Sequence, residues 1–230
     1  MLAALYDVHG NAPALTAVLE DARGRGVERF ALGGDEALMG PWPEETLALL
    51  DGLGAVARLR GNADRWLTDD HDAPDLELMR GALAFCRERI GAERVRELMG
   101  RPEEAEVPEG RLVHASPVSD MRSFAPEPAD DEAELLAGMG EGRLVFGHTH
   151  LQFHRVAPGG VELVNPGSVG LPFDGDPRAA YALLGDAGEV ELVRVAYDHE
   201  ASAAAARECE ELRPRPHALA RRLETALADP

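Results

Sequence analysis

Short apolar runs alternate with stretches of helical periodicity through the N-terminal part of the chain, and this alternation constrains the fold more than any other feature. Residues 2–6 are a continuous apolar run, long enough for a strand buried on both faces and too short for a helix. Asn11 follows as an N-cap with Pro13 in the first turn, and Leu15, Val18, Leu19 and Ala22 recur at helical spacing until Gly24 and Gly26 end the pattern. Residues 29–32 read as the next strand, 44–50 as a helix and 55–59 as a third strand. Strands joined by helices pair in parallel through right-handed crossovers, so this part is expected to build a parallel sheet.

The pattern then changes. Residues 75–99 are helical, with Leu76, Met79, Leu83 and Ile90 as apolar markers and a break at Gly91. They form the body of a helical insertion at about 66–100, expected to pack on the sheet edge, with a lid over a site as the functional alternative. Strand signals follow at 111–114, 143–146, 153–157, 161–164, 181–184 and 189–196, with a helix near 130–137. Pro158-Gly159-Gly160 and Asp186-Ala187-Gly188 supply turns that make the flanking strands antiparallel hairpins. The tail at about 199–230 is helical, broken at Pro214 and Pro216. Without linker-like composition or internal repeats, a single domain over 1–230 is expected.

Charge narrows the function classes. The chain has 23 basic residues, all Arg, against 42 acidic ones, a net charge of −19. Such a surface repels nucleic acid and anionic lipid, so a protein that coats either is excluded. No apolar run approaches the ~20 residues of a membrane span. Cys86 and Cys209 make neither a disulfide framework nor a zinc knuckle, and the N-terminus lacks the marks of an export signal; a cytoplasmic protein is expected.

Five short segments, each ending a predicted strand, carry the chemistry: Asp7-Val8-His9, Gly34-Asp35, Gly61-Asn62, His114 and Gly147-His148-Thr149-His150. In an extended chain, residues two apart point to one side, so Asp7 with His9, and His148 with His150, can each converge on one point. Carboxylate with imidazole suits a divalent transition metal rather than Mg or Ca. Gly34, Gly61 and Gly147 allow sharp turns where strands give way to site-lining loops. A single histidine is more often a surface or core residue than a ligand, and His71, His154, His199 and His217 are left there, with His154 near enough to line the rim. Five such segments in this order are not a coincidence.

The ordered set resembles the calcineurin-like metallophosphoesterases, and the continuation Val164-Asn165-Pro166-Gly167-Ser168-Val169-Gly170 is similar to the small bacterial phosphoesterase branch. The resemblance implies an α/β fold of two mixed β-sheets packed as a sandwich and flanked by helices. It also implies two divalent transition-metal ions, manganese first, with iron, zinc, nickel or cobalt as alternatives. Asp7, His9 and His150 would hold one, Asn62, His114 and His148 the other, and Asp35 would bridge them. The implied activity is hydrolysis of phosphodiesters or activated phosphomonoesters by a metal-bridging hydroxide, with Asp35, Asn62 and His148 central to catalysis. Two cations ~3.5–4 Å apart lower the pKa of a shared water and offset charge in an in-line displacement. The expected partner is a small phosphate ester. The insertion and the tail are candidate homodimer surfaces.

Two departures from the family pattern narrow the reading. Many members carry a proton-donating His directly after Gly-Asn; here that position is Ala63, so esters with aryl leaving groups should suffer least. Leu38-Met39 stands where protein phosphatases and dinucleoside tetraphosphate hydrolases carry Asp-Arg, which argues against both. Arg60, Arg65 and Arg178 are alternative phosphate holders, and Trp42 is a candidate to stack on a base or aryl ring, with turn packing its commoner role. Asn11 either caps its helix or reaches the site, capping first. Asp64 reads as a structural hydrogen-bond acceptor rather than a substitute acid. Two other readings remain: a non-catalytic interaction scaffold of the same fold, as in the small retromer subunit, and a nuclease, which would need a local basic track.

Overall fold

The computed structural model describes residues 1–212 and 218–228. Two mixed five-stranded sheets lie face to face. In the first, β1 (Leu2–Leu5) is central, paired in parallel with β2 (Arg29–Leu32), which pairs in parallel with β3 (Ala57–Arg58). Its other neighbour is β9 (Ala179–Leu184), antiparallel, followed by β10 (Val190–Val195). The helices α1 (Ala12–Gly24) and α2 (Pro43–Asp51) make the two crossovers. Asn11 caps α1 through its side-chain oxygen, which accepts from Ala14 N at 3.3 Å.

The second sheet runs β4 (Glu104–Val107), β5 (Gly110–Val113), β6 (Arg143–Val145), β8 (Glu162–Asn165) and β7 (Phe153–Val156). β5, β6 and β8 are mutually parallel, and the outer pairs β4–β5 and β7–β8 are antiparallel hairpins. The turns at 158–160 and 186–188 thus join antiparallel neighbours, as the sequence implies.

Burial explains the continuous apolar run of β1. Leu2, Ala4 and Tyr6 face the second sheet, meeting Leu112, Val145 and Val164, while Ala3 and Leu5 face Leu15, Val18 and Leu19 of α1. A strand covered on both faces has no polar side to show. The outer face of the second sheet packs Val113, Leu144, Phe146 and Leu163 against Phe124 and Leu135, the latter from the short α5 (Glu132–Leu135).

The helical insertion departs from expectation in its packing. α4 (Glu77–Met99), interrupted at Gly91 with φ 76° and ψ 162°, lies against α2 and the unforeseen α3 (Asn62–Trp66) rather than on a sheet edge. Its Leu78, Leu83 and Leu98 share an apolar cluster with Leu38, Met39 and Ala63. The tail joins that cluster through α6 (His199–Glu208), a 3₁₀ turn (Glu210–Leu212) and α7 (Ala218–Thr225). The predicted break at Pro214 and Pro216, and His217, lie outside the described residues. Among the described residues no helix is long and apolar enough to cross a membrane.

Candidate metal centre

The loops leaving β1, β2, β5 and β6, with the start of α3, meet at one end of the sandwich and bring Asp7, His9, Asp35, Asn62, His114, His148 and His150 together. Asp7, His9 and His150 offer donor atoms mutually within 4.8 Å, as do Asp7, Asp35 and His114. Six of the seven are buried; His148 is partly exposed and marks the mouth.

Extended-chain alternation does not produce this convergence. β1 ends at Leu5 and β6 at Val145, and Asp7, His9, Asp35, His148 and His150 all have left-handed backbone, with φ between 50° and 68°. Each costs a non-glycine residue about 1–3 kcal/mol, and such strain concentrates where a side chain must be aimed. Paired loops hold it: His9 N donates to Asp35 O at 2.9 Å, Gly10 N to Glu36 O at 2.9 Å, and Gly147 N to His114 O at 2.8 Å. The glycines also differ from expectation. Gly34 does need its positive φ of 94°, but Gly61 has ordinary extended backbone and is required for space. A Cβ on Gly61 would sit 2.1 Å from Asp35 Oδ1, and one on Gly147 2.4 Å from Asp7 Oδ2.

The imidazoles are oriented by their outer nitrogens. Nδ1 of His9 lies 2.9 Å from Leu38 O, Nδ1 of His114 lies 2.8 Å from Gly33 O, and Nδ1 of His150 bonds Leu171 O. A carbonyl only accepts, so each Nδ1 carries the proton and each Nε2 turns inward, the arrangement metal-ligating histidines adopt. His9 Nε2 and His150 Nε2 then oppose lone pairs at 3.1 Å. Asp7 Oδ1 is buried without a hydrogen-bond partner, 3.6 Å from His150 Nε2. Asp35 Oδ1 accepts from Ala63 N at 2.8 Å, leaving Oδ2 at 3.7 Å from His9 Nε2 and 3.4 Å from His114 Nε2. One Asn62 amide terminus lies 2.8 Å from both His114 Nε2 and His148 Nδ1; turned oxygen-inward it presents a neutral ligand. An unpartnered carboxylate oxygen beside two opposed imidazole nitrogens fits a cation.

The electrostatics agree. Burial, reinforced by Asp35 and Asp64, lifts the Asp7 carboxyl to about 8 despite His114 nearby. Burial also disfavours charge on His114 and Asp35, yet their mutual attraction prevails, raising His114 to about 10 and holding Asp35 below the usual carboxylate range. The proton on His114 does what a cation would do there. Burial and then His114 push His148 down to about 4, with Asp35 and Asp120 opposing; burial and then His9 push His150 well down.

Neighbouring residues fix the loops. Asp64, fully buried, accepts from Asp35 N at 2.8 Å, Gly61 N at 3.0 Å and Glu36 N at 3.3 Å, the structural role expected of it. The Asn-Pro-Gly-Ser segment ties two loops of the cluster: Asn165 donates to Gly147 O and Thr149 Oγ1, and Ser168 Oγ donates to Asp7 O at 2.6 Å. Phe173, which the sequence did not single out, stacks on His150 with ring centroids 4.4 Å apart.

The substrate-contact candidates separate. Arg60 and Arg65 line a groove of about 520 Å³ beside His114. Asn11 is spent elsewhere: its amide bonds Ala14 N, Gly170 O, Tyr197 OH and Ser202 Oγ, so the capping role prevails. Trp42 lines a shallow groove with Pro13, Thr16 and Tyr197 that contains none of the seven clustered residues. Arg178 is exposed and folded onto Asp176. His154 pairs with Glu162 at 2.7 Å on the face of the second sheet. Leu38 and Met39 are buried in the α4 cluster, where their side chains serve apolar packing.

Comparison with known proteins places this arrangement. The calcineurin-like phosphoesterase superfamily domain matches residues 1–187, leaving α6 and α7 outside the match. The uncharacterized protein MJ0912 of Methanocaldococcus jannaschii is 29% identical over 222 residues, covering 86% of this chain and 88% of that protein. The crystal structure of a metallophosphoesterase from Sphaerobacter thermophilus aligns with a TM-score of 0.83 at 28% identity, covering 98% of this chain and 99% of that one. Hypothetical protein PH1004 from Pyrococcus horikoshii OT3 shares the fold, with a TM-score of 0.81 at 23% identity over 97% of this chain and 98% of its own. A domain match across most of the sequence, spanning every loop that reaches the cluster, makes this chain a member of the calcineurin-like phosphoesterase superfamily.

Proposed function

We propose that the chain is a dinuclear metal-dependent phosphoesterase acting on phosphodiesters or activated phosphomonoesters. The observation that carries this reading is the set of inward Nε2 atoms on His9, His114 and His150, whose Nδ1 atoms are committed to main-chain carbonyls. Asp7, His9 and His150 would hold one divalent cation, and Asn62, His114 and His148 the other. Asp35, whose Oδ2 lies between His9 and His114, would span the two. Manganese is the first choice for this mix of carboxylate and imidazole, with iron, zinc, nickel or cobalt as alternatives. When bound, such a pair supplies Lewis-acid polarisation of phosphoryl oxygens and a water of lowered pKa.

The chain's own groups set what remains. Ala63 N fixes the Asp35 carboxylate, so its orientation is set before substrate arrives. The Nδ1 protons of His9, His114 and His150 are held on backbone carbonyls and are not free to move to a leaving oxygen. Ala63 has none to give. With these three rings committed and no imidazole at position 63, departure as a stable anion or with a proton from water is the route proposed, which favours aryl over alkyl esters.

The test is hydrolysis of bis(p-nitrophenyl) phosphate by protein reconstituted with Mn, Co, Ni or Zn. Asp35→Ala and His148→Ala should each remove the activity. Inactivity with every one of these metals, once binding of each is verified, overturns the proposal.

A further inference from the structure

We infer that Asp120, held by Arg65, is a charge filter at the mouth of the metal centre, disfavouring dianionic phosphomonoesters and so selecting monoanionic phosphodiesters. The inference rests on the phosphoesterase reading and names the substrate class within it.

The mouth lies on the side of His148, the one clustered residue that solvent reaches appreciably. The 520 Å³ groove touches the cluster at His114 and is also lined by Arg60, Arg65, Glu103, Glu104 and Asp120. Its volume suits one arm of a small ester. Asp120 stands beside the cluster. The Asn62 amide terminus that faces His114 and His148 is 3.3 Å from the Asp120 main-chain oxygen, and the Asp120 side chain is 28% exposed.

Arginines in such a groove would ordinarily attract a phosphate dianion, but both are engaged. Arg60 donates to Met99 O at 2.9 Å and pairs with Glu103. Arg65 makes a two-pronged contact with Asp72, both distances 2.9 Å, and donates from Nε to Asp120 Oδ2 at 2.7 Å. Among the described residues lining the groove, the two arginines face three carboxylates.

A phosphomonoester carries close to two negative charges above its second pKa of about 6, whereas a diester carries one. A fixed carboxylate several ångströms from the phosphoryl position therefore penalises the monoester twice as heavily. One charge at that range, partly screened by water, corresponds to a preference of about 5–10-fold.

The experiment compares kcat/KM for p-nitrophenyl phosphate and bis(p-nitrophenyl) phosphate at pH 8 with the metal-loaded protein. Asp120→Asn is nearly isosteric and should raise the monoester-to-diester ratio by about 5–10-fold. Arg65→Gln leaves the Asp120 charge without its counter-ion and should lower the ratio. Salt gives an independent reading: because it screens the carboxylate, the difference in ratio between Asp120→Asn and the parent should shrink as ionic strength rises. Equilibrium binding supplies a readout apart from turnover: Asp120→Asn should tighten inorganic phosphate several-fold more than dimethyl phosphate. An active protein whose ratio moves in neither variant, or whose two phosphate affinities change in parallel, overturns the filter and leaves the phosphoesterase reading standing. A loaded protein that cleaves neither ester instead overturns the phosphoesterase reading, while the binding comparison still decides the charge discrimination.

Discussion

His9 and His150 point their Nε2 atoms at one another across 3.1 Å, although each ring has its Nδ1 proton bound to a backbone carbonyl. Two neutral imidazoles cannot share a hydrogen bond in this orientation. A cation resolves the conflict, so metal should stabilise the fold itself. At a free metal concentration 1,000 times its dissociation constant, one site contributes about 4 kcal/mol. Thermal unfolding in Mn should occur well above that in excess chelator, and on the proposed dinuclear reading His150→Ala should lower the bound metal by one ion. Equal melting temperatures with and without chelator would contradict the assignment.

Asp64 tests the scaffold separately from the ligands. Its carboxylate accepts from three main-chain N–H groups that belong to the Asp35 and Asn62 loops, and it is completely buried. Asp64→Ala leaves those donors unsatisfied, at about 1–3 kcal/mol each before relaxation. The expected result in urea is a loss of several kcal/mol, with Asp64→Asn losing less because its oxygen still accepts. A stability change within about 0.5 kcal/mol, the scatter of ordinary surface substitutions, would refute this role.

The sequence reveals elements whose burial is uniform and conceals those whose pairing partner is remote. β1 and β9 are legible because both faces are covered and every residue is buried. β4 reads Glu-Ala-Glu-Val with its glutamates exposed, an edge strand that no apolar run announces. The metal-binding candidates are legible because each sits in a short segment of distinctive composition. The left-handed backbone that aims five of them is not, since it depends on hydrogen bonds between loops such as His9 with Asp35. Arg60 and Arg65 could be named as candidate phosphate holders, but their neutralisation could not. Asp120 is 55 residues from Arg65, and no local pattern links them.

Gly61 should tolerate no side chain, for reasons of space alone. The Cβ of an alanine would fall 2.1 Å from Asp35 Oδ1 and 2.7 Å from His114 Cε1. Both atoms belong to residues held by main-chain contacts, so neither can yield without moving its loop. Gly61→Ala is expected to lose metal and at least about 100-fold in activity, the scale of a catalytic group displaced by an ångström. Gly54→Ala is the control for loss of a glycine, because nothing lies within 4 Å of its added Cβ. Its positive φ of 57° makes it strained, but the strain is remote from the cluster. Normal metal content in Gly61→Ala would show that the loops are softer than their hydrogen bonds imply.

Ala63→His asks whether the missing proton donor is what limits the chemistry. The residue is 2% exposed and belongs to the apolar cluster that includes Leu38, Met39 and Trp66. An imidazole there overpacks the cluster at about 1–3 kcal/mol, which thermal unfolding should register. In the fraction that folds and keeps its metals, the new ring can protonate a departing oxygen, an effect of about 10²–10⁴-fold when geometry is ideal. Alkyl esters, whose alkoxides are strongly basic, should gain most of it, while aryl esters, whose phenolates leave readily, should gain little. The decisive measurement is the alkyl-to-aryl ratio of kcat in metal-loaded variant and parent. A variant that speeds both esters equally would mean that Ala63 shapes the pocket and that leaving-group protonation was never the limiting step.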